Sequence, residues 1–267
     1  MNILLESGAR PVIGHRGNRA HAPENTIESF AQAVSLGADA IEFDVHVTAD
    51  GIPVVHHDAT LTRTTDGAGE IARKTFAELR ELDAGARYTP DGGKTFPYKG
   101  KGHRIPRFDE VLDAFPSTPL LIEIKTPLAA TGVRKLIESH KAEARCLVDA
   151  MDSRAVRVFA DSAIPRGAAR NDVARLMSEV LMNRPITPFD YSALCVPLDY
   201  YGLPLPVRRF AKVAPAQNCR VHVWTINDPS VAKSLWAAGV NGIISDDPAV
   251  MLTARNTLPV TAGQGTK

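Results

Sequence analysis

Apolar and polar side chains alternate within the segment 38–58, and this pattern predicts a β-strand. The apolar members of the alternation are Ile41, Phe43, Val45 and Val47, and the polar members between them are Glu42, Asp44 and His46. Because side chains at positions i and i+2 of a strand point to the same face, we expect Glu42 and Asp44 side by side. A turn and a short extended run, residues 52–55, then bring His57 close to this pair.

The chain on both sides of this strand alternates between short apolar runs and helical patterns. The first apolar run, 11–14, is followed by a helical period that we place from Pro23 to Gly37. A strand, a helix and a strand in succession build parallel sheets. Continued along the chain, the pattern predicts eight strands, at residues 11–14, 41–47, 119–125, 145–150, 164–167, 193–197, 220–226 and 242–245.

Eight parallel units predict an α/β fold of the (β/α)8 TIM-barrel type, with the active site at the carboxyl ends of the strands. An open, doubly wound sheet is the alternative, but no glycine-rich dinucleotide motif follows the first strand. Residues from about 59 to 104 are rich in glycine and interrupt the alternation. We expect them to form a small inserted subdomain after the second strand, within a single catalytic domain spanning residues 1–267. The aromatic side chains of this insertion either line a substrate entrance or form its own small core.

The composition excludes several classes of protein. A formal net charge of +1 on 267 residues does not provide the basic surface of a nucleic-acid-binding protein. No apolar run reaches the length of a membrane helix, about 18 residues, so we expect no stable membrane insertion. The amino-terminal segment also lacks the layout of a secretory signal. The three cysteines are widely spaced in apolar surroundings, which favours reduced core thiols in a cytoplasmic protein.

Polar side chains gather at the carboxyl ends of the predicted strands. The set comprises His15, Arg16, Glu42, Asp44, His57, Glu123, Lys125 and Trp224. Two neighbouring carboxylates repel each other unless a cation or a proton lies between them. Oxygen ligands suit Mg²⁺ or Ca²⁺ better than zinc, so the pattern predicts a hard divalent cation beside Glu42 and Asp44. A solvated strand edge with a chance pair of histidines is the alternative for this stretch.

The same polar residues belong to short motifs that follow one another along the chain. The motifs are HRG at 15–17, PENT at 23–26, E-x-D at 42–44, T-x-DG-x-PVV-x-HD at 48–58, TL-x-RTT at 60–65, IP at 105–106, EIK at 123–125 and WTIND at 224–228. Their order resembles that of the glycerophosphodiester phosphodiesterase family over nearly the whole chain, from His15 to about Pro248. The resemblance implies a (β/α)8 barrel with an insertion after the second strand. It also implies a metal-dependent enzyme that hydrolyses small-molecule glycerophosphodiesters to sn-glycerol 3-phosphate and an alcohol.

The resemblance further implies roles for the residues that carry the chemistry. Glu42, Asp44 and Glu123 match the metal ligands of the family, and His15 and His57 match its acid–base pair. Since imidazole titrates near neutral pH, two histidines on opposite sides of one phosphorus suit an in-line displacement.

Four more residues match motif positions at which a supporting role is expected. The planar fork of Arg16 would hold phosphate oxygens, and Lys125 would add a point charge or only pair with neighbouring carboxylates. Trp224 would form an apolar wall beside the glycerol, unless it is a buried barrel residue. Glu24 lies near the metal by resemblance, or it simply favours a helix amino terminus through the helix dipole.

Alternative functions stay open at this point. One is lysophospholipase D-type hydrolysis, in which Tyr200 and Tyr201, together with aromatic residues of the insertion, would receive an acyl chain. Another is a cyclising route, in which a hydroxyl of the substrate replaces water as the nucleophile. A barrel that binds phosphodiesters without turnover is the non-enzymatic alternative, and the presence of both His15 and His57 argues against it. The sequence does not specify the alcohol, the metal or the oligomeric state.

Overall fold

The computed structural model describes residues 2–259, which form a ring of parallel strands surrounded by helices. The strands are β1 (Val12–His15), β2 (Ala40–Val47), β3 (Pro53–Val55), β4 (Leu120–Ile124), β5 (Cys146–Asp149), β6 (Ala193–Pro197), β7 (Asp199–Tyr200), β8 (Leu203–Pro204), β9 (Arg220–Trp224) and β10 (Gly242–Ser245). The helices are α1 (Ile27–Ser35), α2 (Phe76–Arg80), α3 (Phe108–Ala114), α4 (Pro127–Ser139), α5 (Ser153–Arg157), α6 (Arg170–Leu181), α7 (Val207–Val213), α8 (Pro229–Ala237) and α9 (Pro248–Asn256). The predicted α/β barrel is confirmed.

A short segment closes the ring of strands. Seven parallel strands pair in the order β5–β4–β2–β1–β10–β9–β6. Between the two ends of this row, Arg166 pairs with Val148 of β5, and Gly167 pairs with Ala193 of β6, both in parallel. The strand predicted at 164–167 is therefore reduced to two single bridges. A glycine is needed here, because a Cβ at position 167 would lie 2.1 Å from the carboxylate at the end of β5.

Helix α1 begins later than the sequence pattern predicts. Its N-cap is Thr26, whose hydroxyl oxygen accepts a hydrogen bond from the backbone N–H of Ser29 at 3.2 Å. The start predicted at Pro23 is wrong, because Asn25 has a left-handed backbone with φ of 59° and cannot belong to a right-handed helix. The end of the helix is as predicted, with Gly37 at a φ of 92° after its last turn.

Inward-facing side chains fill the barrel below the carboxyl ends of the strands, and most of them are apolar. The apolar ones include Leu4, Ile13, Ala40, Leu121, Leu147 and Ala193. A 3-10 turn, Ile3–Leu5, covers the amino-terminal end of the barrel, where Nε2 of His222 lies 2.9 Å from the carbonyl oxygen of Leu4. A ligand can therefore reach the interior from the carboxyl ends of the strands.

The segment 59–104 lies between β3 and α3 and packs on the rim of the barrel. Apolar side chains of the segment pack with residues just outside it in a small cluster of Val54, Leu61, Ile71, Leu79, Ala84 and Ile105. The hydroxyl of Tyr88 donates to the carbonyl of Ala20 at 2.8 Å, and that of Tyr98 donates to the carbonyl of His21 at 3.1 Å. Both acceptors lie in the loop after β1, which places the segment at the carboxyl-end face.

Two smaller observations complete the fold. Within residues 2–259, no helix combines the length and the apolar character that crossing a membrane would require. Cys146 and Cys219 are buried free thiols, and Cys195 is a half-buried one.

Candidate active site

The upper layer of the barrel interior is charged on one side and apolar on the other. The charged arc, from β1, β2, β4 and β5, consists of His15, Glu42, Glu123 and Asp149. The apolar arc, from β6, β9 and β10, consists of Cys195, Trp224 and Ile244. The two arcs surround a catalytic cavity of about 240 Å³, which Tyr200, Tyr201 and Arg170 also line.

Three carboxylates of the barrel interior form an acidic group, Glu42, Asp44 and Glu123. Alternation along β2 places the first two on one face, and the parallel register pairs Asp44 with Glu123 of β4. One oxygen from each carboxylate lies within 4.8 Å of the other two. Burial and the charges of Asp44 and Glu123 raise the pKa of Glu42 well above its usual value. This concentration of hard, negatively charged oxygens fits a divalent cation.

Two cations lie against the acidic group. Lys125 Nζ is 3.0 Å from both Asp44 Oδ1 and Glu123 Oε1, and Arg16 Nε is 3.3 Å from Asp44 Oδ2. Although burial opposes the effect, these cations lower the pKa of Asp44. The left-handed backbone of Arg16, with φ of 52°, also lets its N–H donate to Glu42 Oε2 at 3.0 Å. Both cations thus offset part of the negative charge of the acidic group.

His15 is held at the end of β1 by a carboxylate from the other end of the chain. Its Nδ1 lies 2.6 Å from Asp246 Oδ1, in the loop after β10. When Nδ1 donates this hydrogen bond, Nε2 is left for the cavity. Burial would raise the pKa of Asp246, but the hydrogen bond and charge of His15, together with Asn227 and Arg19, lower it well below its usual value. Sequence reasoning missed Asp246, whose only signal was its place just after a predicted strand.

His57, in the loop after β3, has the same arrangement and lines the same cavity. Its Nδ1 lies 2.6 Å from Asp58 Oδ1, and burial lowers the pKa of the imidazole. The neighbouring His56 points elsewhere, with Nδ1 2.9 Å from the carbonyl of Asp58 and Nε2 3.0 Å from Thr64 Oγ1. His46, left without a role by the sequence, has Nε2 3.0 Å from the carbonyl of His57 and so supports the backbone there. Of these three histidines, only His57 lines the catalytic cavity.

Glu24 lies beside the cavity, where arginines surround it. Its carboxylate accepts hydrogen bonds from Arg16 at 2.7 Å, from Arg19 at 3.1 Å, and from Arg63 at 2.7 and 2.8 Å. Burial would raise the pKa of Glu24, but the guanidinium groups of Arg63 and Arg16 lower it strongly. It is not part of the acidic group. Sequence reasoning did not assign a role to Arg19 or Arg63, although Arg63 stands within the RTT motif.

These arginines connect the two histidines through a continuous row of ion pairs. Arg19 Nη1 donates to Asp246, the partner of His15, at 3.1 Å. Arg63 Nε donates to Asp58, the partner of His57, at 2.6 Å. Glu24 joins the two arginines, and we call the row Asp246–Arg19–Glu24–Arg63–Asp58 the ion-pair bridge. The bridge holds Asp246 and Asp58 in place, and through these two carboxylates it fixes the orientation of both imidazoles.

Two further residues of the cavity, Asp149 and Arg170, were not predicted from the sequence. Asp149 ends β5 and pairs in register with Glu123 near the end of β4, and its place at a strand end was a usable signal. Its Oδ1 has no hydrogen-bond partner within the described residues. Burial, with the charge of Glu123, raises the pKa of Asp149 well above its usual value. Arg170 begins α6, and its guanidinium lies 5.8 Å from the ring centre of Tyr200.

The aromatic side chains of the insertion do not line the catalytic cavity. Tyr88 and Tyr98 form an edge-to-face pair with ring centres 5.2 Å apart. Tyr88 lines a separate groove of about 560 Å³, which Arg19 and Arg63 also border. Trp224 does line the catalytic cavity, half-buried on the apolar side.

Comparison with known proteins provides an independent line of observation. A sequence model described as the glycerophosphoryl diester phosphodiesterase family matches residues 15–250. A glycerophosphodiester phosphodiesterase from Caldanaerobacter subterraneus subsp. tengcongensis is 30% identical over 248 residues, which are 90% of this chain and 96% of that protein.

Solved structures agree with this match. A phosphodiesterase from Oleispira antarctica, in complex with the product sn-glycerol-3-phosphate, superposes with a TM-score of 0.75 at 26% identity, over 93% of this chain and 98% of that chain. A phosphodiesterase domain from Mycobacterium tuberculosis has a TM-score of 0.80 at 20% identity, over 94% and 100% of the two chains, and so shares the fold.

Proposed function

Because the chain belongs to the glycerophosphoryl diester phosphodiesterase family, we propose that it hydrolyses glycerophosphodiesters to sn-glycerol 3-phosphate and an alcohol. The observation that carries this proposal is the pair of histidines, His15 and His57, facing one cavity beside an acidic group. A barrel that only binds phosphodiesters has no need of two imidazoles that are each oriented by a carboxylate. The product bound to the Oleispira relative supports this class of substrate.

Glu42, Asp44 and Glu123 would hold one divalent cation, Mg²⁺ or Ca²⁺. When bound, such an ion polarises a phosphoryl oxygen and offsets the charge that develops on the phosphate. The raised pKa of Glu42 supports this role, since a cation would relieve the carboxylate repulsion that otherwise favours a proton.

The remaining residues would bind the phosphate and move protons. Arg16 and Lys125 would contact the non-bridging phosphate oxygens. One histidine would take a proton from the attacking water, whose oxygen bonds to phosphorus. The other would give a proton to the alcohol oxygen as the phosphorus–oxygen bond breaks. Trp224 would present an apolar wall to the glycerol.

Phosphorus NMR of turnover tests this function directly. Glycerophosphocholine and glycerophosphoethanolamine would be incubated with the protein in ¹⁸O-labelled water, with Mg²⁺ and with Ca²⁺ in separate reactions. We expect sn-glycerol 3-phosphate as the phosphorus product, carrying one ¹⁸O, because water is the nucleophile. Accumulation of a cyclic phosphate would indicate a substrate hydroxyl as the nucleophile instead. The absence of turnover with either substrate and either metal would contradict the proposal.

A further inference from the structure

An apolar cavity lies next to the catalytic cavity and is not needed for the proposed hydrolysis. It lies between α6, β6 and the β7–β8 hairpin and has a volume of about 240 Å³. We call it the α6 pocket. Its apolar lining includes Ala168, Val173, Met177, Val196, Leu203 and Leu205.

The α6 pocket adjoins the catalytic cavity directly. Four side chains line both cavities, namely Met151, Arg170, Cys195 and Tyr200. Cys195 belongs to the apolar arc, so the pocket continues the apolar side of the catalytic cavity outward. A single elongated molecule can therefore place a phosphodiester in the catalytic cavity and another part of itself in the α6 pocket.

The lining of the α6 pocket indicates which part of a substrate would enter it. Among residues 2–259, no carboxylate lines the pocket, and the one charged side chain that does, Arg170, lies at the junction with the catalytic cavity. At its outer edge, Leu203 is 54% exposed, and the neighbouring Tyr201 is 93% exposed. Apolar side chains that line a concavity and are left in water favour an apolar ligand, because burial of both surfaces removes them from water.

We propose that the α6 pocket binds an aliphatic chain carried by the phosphodiester substrate. The inference rests on the proposed function and narrows its substrate class from glycerophosphodiesters in general to those bearing one hydrocarbon chain. Two sources share this chemistry, a lysophospholipid with the chain on its glycerol and a glycerophospho-alkanol with the chain on its alcohol. The Arg170 guanidinium, at the junction, would lie beside the polar link between phosphate and chain.

The test is a series of chain lengths in both sources. One arm compares glycerophosphocholine with its 1-butanoyl, 1-hexanoyl and 1-octanoyl esters, and the other compares glycerophospho-ethanol, -butanol and -hexanol, all below the concentration at which micelles form. In at least one arm, we expect kcat/KM to rise by up to about fourfold per added methylene, which corresponds to about 0.8 kcal/mol per buried methylene. The rise should level off once the chain fills the pocket.

Substitutions in the α6 pocket test whether the dependence of kcat/KM on chain length arises there. Ala174→Trp would fill the pocket from the exposed face of α6, and Leu203→Asn would make its outer edge polar. Both should flatten the dependence on chain length. Leu181→Asn is the control, because Leu181 lies at the far end of α6 with a nearly equal exposure of 53%, and it should keep the dependence of the unmodified protein.

The outcomes separate this inference from the proposed function. Turnover of glycerophosphocholine with no gain from a chain in either arm would overturn the α6 pocket as a chain site, while the phosphodiesterase activity would stand. A gain that survives in both Ala174→Trp and Leu203→Asn would also overturn it. Failure to cleave any of the phosphodiesters would instead contradict the phosphodiesterase activity itself.

Discussion

The two sides of the catalytic cavity are built from equivalent strand ends but offer opposite chemistry. The charged arc brings an imidazole and three carboxyl groups to the cavity, and two of its members, His15 and Glu123, have charged partners in hydrogen-bond range. The apolar arc brings a thiol, an indole and an aliphatic side chain, and behind it lies the α6 pocket. All strands of a barrel of this type end at the same face. The difference between the two sides of the cavity therefore comes from the one side chain that each strand places there. We infer that the charged side performs the reaction and that the apolar side selects what is attached to the phosphate.

Loss of the acidic group should have the largest effect. We expect Glu123→Gln, or exhaustive chelation of the unmodified protein, to lower kcat by at least about 10³-fold, because a bound divalent ion contributes several kcal/mol to transition-state stabilisation. Calorimetric titration with Mg²⁺ and Ca²⁺ should show one binding site, lost in the variant. Cys195→Ser, on the apolar side, is the control and should bind metal normally. Full activity after chelation would refute a metal-dependent reaction.

Substitution of either catalytic histidine should have the second largest effect on kcat. If one imidazole is the base and the other the acid, His15→Ala and His57→Ala should each lower kcat by about 10²–10⁴-fold. His56→Ala should lower it much less, because both of its ring nitrogens are directed away from the catalytic cavity, to Asp58 and Thr64.

A substrate with a nitrophenol leaving group would assign the two histidine roles. Such a leaving group needs little protonation, so it should restore turnover to the variant that lacks the acid and not to the one that lacks the base. Near-normal kcat in His57→Ala, combined with a strong loss in His56→Ala, would show that the wrong histidine has been assigned.

How far the sequence predicts this site depends on the range of the interactions involved. The period of two along β2 was enough to pair Glu42 with Asp44, whereas Glu123 joined this pair only through the motifs that the chain shares with the family. The start of α1 was misplaced because the left-handed backbone of Asn25 leaves no mark in hydrophobic periodicity. The contact between His15 and Asp246 joins residues that are 231 positions apart, and it exists only because β1 and β10 pair side by side in the barrel.

The ion-pair bridge should have an intermediate effect. Glu24→Gln removes the charge that joins Arg19 to Arg63. The two aspartates that orient the imidazoles are then held less firmly. We expect kcat to fall by about 10- to 100-fold with little change in KM, since small misplacements of catalytic groups carry penalties of this size. Glu28→Gln is a suitable control, because its side chain bonds to Gln32 on the same helix and not to the bridge. A rise in KM at constant kcat would instead place Glu24 in substrate binding.

The smallest effect is expected on the apolar side, at Trp224. If its indole only forms a wall beside the glycerol, Trp224→Leu should raise KM by about three- to tenfold and leave kcat nearly unchanged, because the lost contact is a fraction of one apolar side chain. The other tryptophan, Trp236, is buried between α8 and the barrel and does not line the cavity. Trp236→Leu should therefore lower the melting temperature without changing KM, which separates loss of packing from loss of a substrate contact. A fall in kcat for Trp224→Leu as large as that for the histidine variants would show that the apolar side takes part in the reaction and does more than select the substrate.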